Sequence, residues 1–150
     1  RVHPDCLPLD HLDIGDVLQL DREAFGADRS ALLTKLLYEG IAIIYRPCGP
    51  ADGFLLGRPG SKFFYLGPWV ARTREAAAAL LDAAFSVLGG ERVAIDVLAG
   101  NEEAADLCAE ARFDAARMLV RMARGDVSGL AVPPGGRPDR IYGLAGLEWG

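Results

Sequence analysis

Three stretches of this 150-residue chain carry side chains whose type and setting could do chemistry. Asp96 is the sole charged residue of the apolar run Val93-Ala94-Ile95-Asp96-Val97-Leu98. A carboxylate among aliphatic neighbours can take up a proton, directly or through a water molecule, and so act as a base. It can equally be a structural acceptor for the backbone N–H groups at the head of the helix that Asn101 opens. Cys108 carries a thiol of ordinary pKa about 8.5 and falls on an apolar stripe with Ala104, Leu107 and Ala111, the setting of a buried core cysteine. Arg72-Thr73-Arg74-Glu75 opens a helix, where Thr73 is a cap worth about 1 kcal/mol and Glu75 complements the helix dipole by about 0.3–1 kcal/mol. The three cysteines, Cys6, Cys48 and Cys108, match neither a paired disulfide framework nor a zinc site. No metal is therefore expected, and a reducing compartment is the simplest reading. His3 and His11 lie near the N-terminus, far in sequence from these stretches, and take no role.

The elements that must position these groups follow from apolar spacing. Residues 11–25 place Ile14, Leu18 and Phe25 near helical spacing and stop at Gly26. A second helix begins with Asp28 as N-cap, carries Leu32, Leu33, Leu36 and Leu37 as its stripe and stops at Gly40. Three β-like runs follow, Ile41-Ala42-Ile43-Ile44-Tyr45, Gly53-Phe54-Leu55-Leu56 and residues 62–71, and the short polar turns between them predict an antiparallel meander. In the third run Gly67-Pro68 suits either a bulge that opens the strand pair or an edge kink, because Pro removes a ladder donor and Gly tolerates unusual dihedrals. Thr73 then starts the clearest helix, with Ala77, Leu80, Leu81, Ala84, Phe85 and Leu88 on one face and Gly89-Gly90 at its end. A strand over 93–98 completes a βαβ unit, whose two strands must be parallel. Asn101 caps a short helix, residues 113–124 alternate with period two like a strand, and residues 141–149 read as a weak final strand after the loop Pro133-Pro134-Gly135-Gly136.

With 51% hydrophobic and 25% charged residues the chain reads as one domain, residues 1–150, able to bury roughly 68–70% of its unfolded surface. The 16 Lys and Arg against 21 Asp and Glu give a net charge of -5, which argues against nucleic acid as a direct partner. No apolar run approaches the roughly 18 residues a bilayer span needs, and no basic segment followed by an apolar stretch opens the chain. A soluble, cytoplasmic protein without a membrane partner is expected. The chain opens at Arg1 rather than Met yet reads as structured from its first residues, as a piece of a longer protein would.

Two helices, an antiparallel meander, one βαβ unit, a short helix and a closing pair of strands form a mixed α/β layer protein rather than a doubly wound sheet. That order resembles the GNAT N-acyltransferase superfamily. The most specific local match runs from Asn101 to Phe113 and is similar to the superfamily's N-x-x-A-x-x-x-Y-x-x-x-G-F signature. Asn101, Ala104 and Phe113 match; Cys108 and Arg112 depart from it. Over nearly the whole chain the likeness is to the C-terminal module of bacterial proteins with two GNAT-like units in tandem. Residues 20–29, Gly67-Pro68-Trp69-Val70-Ala71, Ile95-Asp96-Val97 and residues 121–125 carry it.

The resemblance implies a central mixed sheet with splayed parallel strands flanked by helices, and acetyl-CoA as the acyl donor to a small-molecule or peptide amine. It implies as partner an N-terminal GNAT module of the same chain or, in a homo-oligomer, a second copy; Trp69, Tyr142 and Trp149 are candidate contact residues because large aromatics favour interface centres, the alternative, favoured for Trp69, being that they are core residues. Pantetheine would lie between the splayed strands against Trp69, Val70 and Ala71. The pyrophosphate would sit at the next helix start, with Arg72, Arg74 and Ala77, and Asn101 would complete the site. Asp96 would be the base, and Cys108 stands where the signature has the Tyr that protonates the leaving thiolate. Against the family's Q/R-x-x-G-x-G/A loop, Glu75 replaces the first Gly, adding a side chain and a negative charge where an anion must dock. The departures at Glu75, Cys108 and Arg112 favour a second reading of the same resemblance, a non-catalytic module docked on a catalytic partner.

Overall fold

Three runs of branched and aromatic residues form the meander at the centre of the fold. β2 (Ile41–Tyr45), β3 (Gly53–Pro59) and β4 (Phe64–Ala71) pair antiparallel in sequence order, and β1 (Cys6–Pro8) adds an edge strand beside β2. The computed structural model describes residues 3–118 and 135–146. Between β1 and β2 lie a 3-10 turn at His11–Asp13, α1 (Ile14–Phe25) and α2 (Ser30–Leu36). After β4 come α3 (Arg74–Leu88), β5 (Val93–Ala94), α4 (Glu102–Glu110), a 3-10 turn at Pro138–Arg140 and β6 (Ile141–Gly143). The six strands make one mixed sheet in which β5 runs parallel to β4, as the βαβ reading requires, and β6 pairs antiparallel with β4.

Alternation along the strands divides the core. Ile43, Tyr45, Leu55, Leu66, Trp69 and Ala71 pack under α3 and α4, whereas Ile44, Phe54, Leu56 and Val70 pack against α1 and α2. Leu66 and Trp69 share a face although they are three apart in sequence. The cause is a bulge: Leu55 pairs with Trp69 and Gly57 with Leu66, so Gly67 and Pro68 stand opposite Leu56 alone. The dipeptide that suited a bulge in the sequence therefore makes one. On α3, small residues Ala76, Ala77, Ala83 and Ala84 are buried, which lets the helix axis lie close to the sheet.

Helix ends follow local chemistry. Gly26 and Gly89 close α1 and α3 in the left-handed conformation, and the Thr73 hydroxyl oxygen accepts from the Ala76 N–H at 3.2 Å. α4 ends in a Schellman turn, with Arg112 N–H donating to the Ala109 carbonyl at 3.0 Å and Phe113 N–H to the Cys108 carbonyl at 2.9 Å. Arg112 has φ 63, so the signature's Gly position is left-handed here and a non-glycine residue occupies it.

Several elements differ from their sequence expectation. α2 spans only Ser30–Leu36; Asp28 still accepts from the Ser30 N–H at 2.9 Å, but Arg29 is the N-cap. The Arg29 side chain turns inward and forms a two-pronged pair with Asp21, at 3.0 and 2.5 Å, where Asp21 is 1% exposed. Gly40 does not cap α2; a Cβ there would overlap the Gly57 carbonyl, so close approach of β3 is what requires it. The strand expected over 93–98 pairs only at Val93 and Ala94, because farther along β4 its edge is taken by β6. Residues 113–118 run without regular structure, and the rest of the strand expected over 113–124 lies outside the described residues. The final strand is confined to Ile141–Gly143, and the part of that expectation beyond 146 likewise lies outside them. Among the described residues no helix is long and apolar enough to cross a membrane.

Candidate functional site

One edge of β4 pairs with β3 along its length. The other edge is shared. Phe64 and Tyr65 pair with Val93 and Ala94, the parallel strands then part, and Trp69 and Val70 pair with Gly143 and Ile141 of β6. The Leu144 N–H donates to the Asp96 carbonyl at 2.9 Å, so residues 141–144 bridge the two parallel strands where they splay. The fit is close: a Cβ on Gly67 would overlap the Leu144 carbonyl, and one on Gly143 would stand 3.2 Å from Ile95 Cγ2 and 3.3 Å from Trp69 Cβ.

Side chains fasten the same segment. The Tyr142 ring tilts against Trp69 with centroids 5.2 Å apart, and its hydroxyl is hydrogen-bonded to the Glu103 carboxylate. Burial, with that bond, pushes the Tyr142 phenol well above its usual range. Trp69 and Tyr142 are 0% and 1% exposed, so both belong to this domain's own core, as favoured for Trp69, and neither is a surface contact residue. Trp149 lies outside the described residues. Asn101 is buried; its Oδ1 accepts from the Ala104 N–H at 3.0 Å while its Nδ2 donates to the carbonyls of Pro138, Asp139 and Ile141 at 3.3, 3.2 and 2.9 Å.

The helix start after β4 is electrostatically occupied. Arg72 Nη2 reaches both oxygens of Glu23 at 3.2 and 3.1 Å, and its Nη1 lies 3.4 Å from Asp52. Glu23 also receives Arg140 at 3.2 Å. Burial would raise the Glu23 pKa, but hydrogen bonds from Gln19 and Arg72 and the charges of Arg72 and Arg140 outweigh it and hold the carboxyl below its usual value. Arg74 Nη2 reaches both Glu110 oxygens at 2.7 Å, and its Nη1 donates to the Glu103 carbonyl. The Glu75 side chain is exposed. Ala77 is buried and its N–H donates to the Thr73 carbonyl at 3.1 Å. The N–H groups of Arg74 and Glu75, the first two of α3, have no acceptor among the described residues.

Asp96 is half-buried, and its carboxylate has no hydrogen-bond partner among the described residues. The α4 head takes its acceptor from Asn101 instead, which overturns the structural-acceptor alternative for Asp96. Cys108 is 9% exposed among Ala104 and Leu107, and burial raises its thiol pKa. Trp69, Ala77, Cys108 and Tyr142 thus share one cluster, with Val70 on the opposite face of the sheet. Glu23, Glu103, Arg140 and Gly143 were not singled out from sequence. Only Gly143 carried a signal, since an isolated glycine in a strand marks a place where another backbone or side chain comes close.

A mixed sheet whose two parallel strands part beside a capped helix start defines an acyltransferase fold of the GNAT class. The chain belongs to that family: residues 17–132 match the acetyltransferase (GNAT) domain. A search of curated protein sequences gave no match. Among solved structures, a candidate acetyltransferase from Pyrococcus horikoshii is 22% identical with a TM-score of 0.71 and covers 100% of this chain, which spans only 47% of its length. The aminoglycoside enzyme AAC(6')-Iy, in complex with a bisubstrate analogue built on CoA, is 16% identical with a TM-score of 0.65 and covers 83% of this chain and 99% of its own. The aminoglycoside 6'-N-acetyltransferase AAC(6')-Ig from Acinetobacter haemolyticus is 14% identical with a TM-score of 0.61, covering 81% of this chain and 98% of its own. At these identities the likeness concerns the fold.

Proposed function

We propose that this chain is an acetyl-CoA-dependent N-acetyltransferase module acting on a small-molecule or peptide amine. The observation that carries the reading is the parting of parallel β4 and β5 after Tyr65 and Ala94, together with the Arg74 and Glu75 N–H groups at the start of α3, which have no acceptor among the described residues. Trp69, Val70 and Ala71 would line the donor's pantetheine arm, and Arg72, Arg74, Ala77 and Asn101 would stand at its phosphate end. Asp96 is the proposed base, because its carboxylate is half-buried and has no hydrogen-bond partner among the described residues. The Cys108 thiol, kept protonated by burial, is the proposed proton donor to the leaving group.

As folded, these residues do not fit the donor. β6 holds the edge of Trp69 and Val70, both guanidiniums are paired with carboxylates, and Glu75 sets negative charge at the helix start. That occupancy favours a second reading, an accessory module that works beside a catalytic GNAT unit. The match to 47% of the Pyrococcus protein supports a companion module. For the acceptor, the net charge of -5 suits a cationic amine, and the aminoglycoside enzymes among the structural neighbours make aminoglycosides the first panel to try.

Calorimetry with coenzyme A separates the two. A dissociation constant below about 100 μM, or about -5.5 kcal/mol, supports the donor site, and acetyl transfer to polyamines and aminoglycosides then follows it. No heat of binding at millimolar ligand, by the wild type or by Arg140→Ala, which frees residues 137–145 from Glu23, supports the accessory module.

A further inference from the structure

We infer that residues 137–145 are a plug in cis, holding the edge of β4 against the acyl donor and leaving it before a donor binds. The inference rests on the donor reading above. A backbone edge can satisfy one partner at a time, and past the parting at Tyr65 the edge of β4 is paired at Trp69 and Val70 with Gly143 and Ile141. Nor is there spare room beside it, since the Leu144 carbonyl lies where any side chain on Gly67 would project.

The segment is fastened as a unit. Its backbone is tied to groups on four other elements or loops: Arg137 N–H to the Ala24 carbonyl at 2.7 Å, the Ile141 carbonyl to Asn101 at 2.9 Å, Leu144 N–H to the Asp96 carbonyl at 2.9 Å and the Ala145 carbonyl to Arg58 at 2.5 Å. Arg140 shares Glu23 with Arg72, so the plug and the guanidinium assigned to phosphate hang on one carboxylate. The closed arrangement also carries a cost, because the buried Trp69 Nε1, on the ring that Tyr142 covers, has no hydrogen-bond partner among the described residues.

A reversible lock tests the plug. Val70 and Ile141 are partners across β4 and β6 and lie in the same core cluster. Antiparallel partners have Cα atoms about 4.5–5.5 Å apart, within the roughly 4.4–6.8 Å that a disulfide spans. In a Cys48→Ser background the Val70→Cys, Ile141→Cys variant is compared only with itself, because Val70 is also assigned to the donor's pantetheine arm, and oxidation should weaken its coenzyme A binding at least about tenfold. Hydrogen exchange on the wild-type chain provides the second measurement: coenzyme A should slow exchange at residues 74–77 and speed it at 141–145. Equal affinity in the two redox states, or protection at 74–77 with 141–145 unchanged, overturns the plug and leaves the donor reading standing. Binding by neither the wild type nor an Arg140→Ala variant with a loosened lock overturns the donor reading and the plug with it. Binding by Arg140→Ala alone supports the plug.

Discussion

The side-chain amide of Asn101 donates to the Ile141 carbonyl at 2.9 Å while the same side chain caps α4 through its oxygen. One residue thereby fixes both the start of a helix and the strand that fills the splay. Asn101→Asp separates the two tasks, since a carboxylate keeps the capping oxygen and loses the N–H donors. We expect a loss of about 1–3 kcal/mol in urea unfolding, with faster hydrogen exchange at 141–144 and α4 retained. Unchanged exchange at Leu144 would show that the clamp does not hold β6.

Arg112→Gly should stabilise the protein. The left-handed conformation costs an L-residue about 1–2 kcal/mol, and the extra freedom of glycine in the unfolded chain returns roughly 0.5–1 of it, leaving a gain of about 0.5–1 kcal/mol. Thermal unfolding measures this, and a lower midpoint would contradict it.

Asp21→Ala should be among the most damaging single changes. It strands the Arg29 guanidinium, 8% exposed and stacked 3.8 Å over Phe25, without its carboxylate, at a cost of about 3–5 kcal/mol. Replacing both residues by apolar ones, Asp21→Leu with Arg29→Met, should recover most of the loss in chemical denaturation.

Glu23 sets an acid dependence. Its carboxyl is held below the ordinary 4.5, so the stabilisation it gives is fully present above that value and is lost as pH falls through the lower folded-state value. The midpoint of thermal unfolding should therefore fall less steeply below pH 4.5 in Glu23→Gln than in the wild type. Parallel curves would remove Glu23 from the account.

If the module transfers acetyl groups, Asp96→Asn should lower kcat by about 10²–10⁴-fold while leaving coenzyme A affinity unchanged, because shape and hydrogen-bonding capacity are kept and the charge is lost. Wild-type turnover in that variant would rule Asp96 out as the base.

The sequence by itself determined much of the local structure, though not the ends of α2, where Arg29 and not Asp28 is the N-cap and Gly40 answers to the approach of β3. Thr73, Gly26, Gly89 and Asn101 act within a few residues of themselves, so the helix ends they cap or close were legible from composition and spacing. The βαβ order required β5 to run parallel to β4, and Gly67-Pro68 placed the bulge. The stretch from Trp69 to Ala77, with its helix start and the misplaced Glu75, was equally visible. What lay beyond reach was partnership. Ile141-Tyr142-Gly143 reads as a strand whatever it pairs with, and a strand's neighbours are chosen by backbone groups that every residue shares. Only the folded chain brings Gly143 beside Trp69, Leu144 to Asp96 and Arg140 to the carboxylate that also holds Arg72. The tertiary structure therefore decided that the splay between β4 and β5 is filled by the chain's own strand, because the edge of β4 freed by the parting strands had to be paired with some backbone.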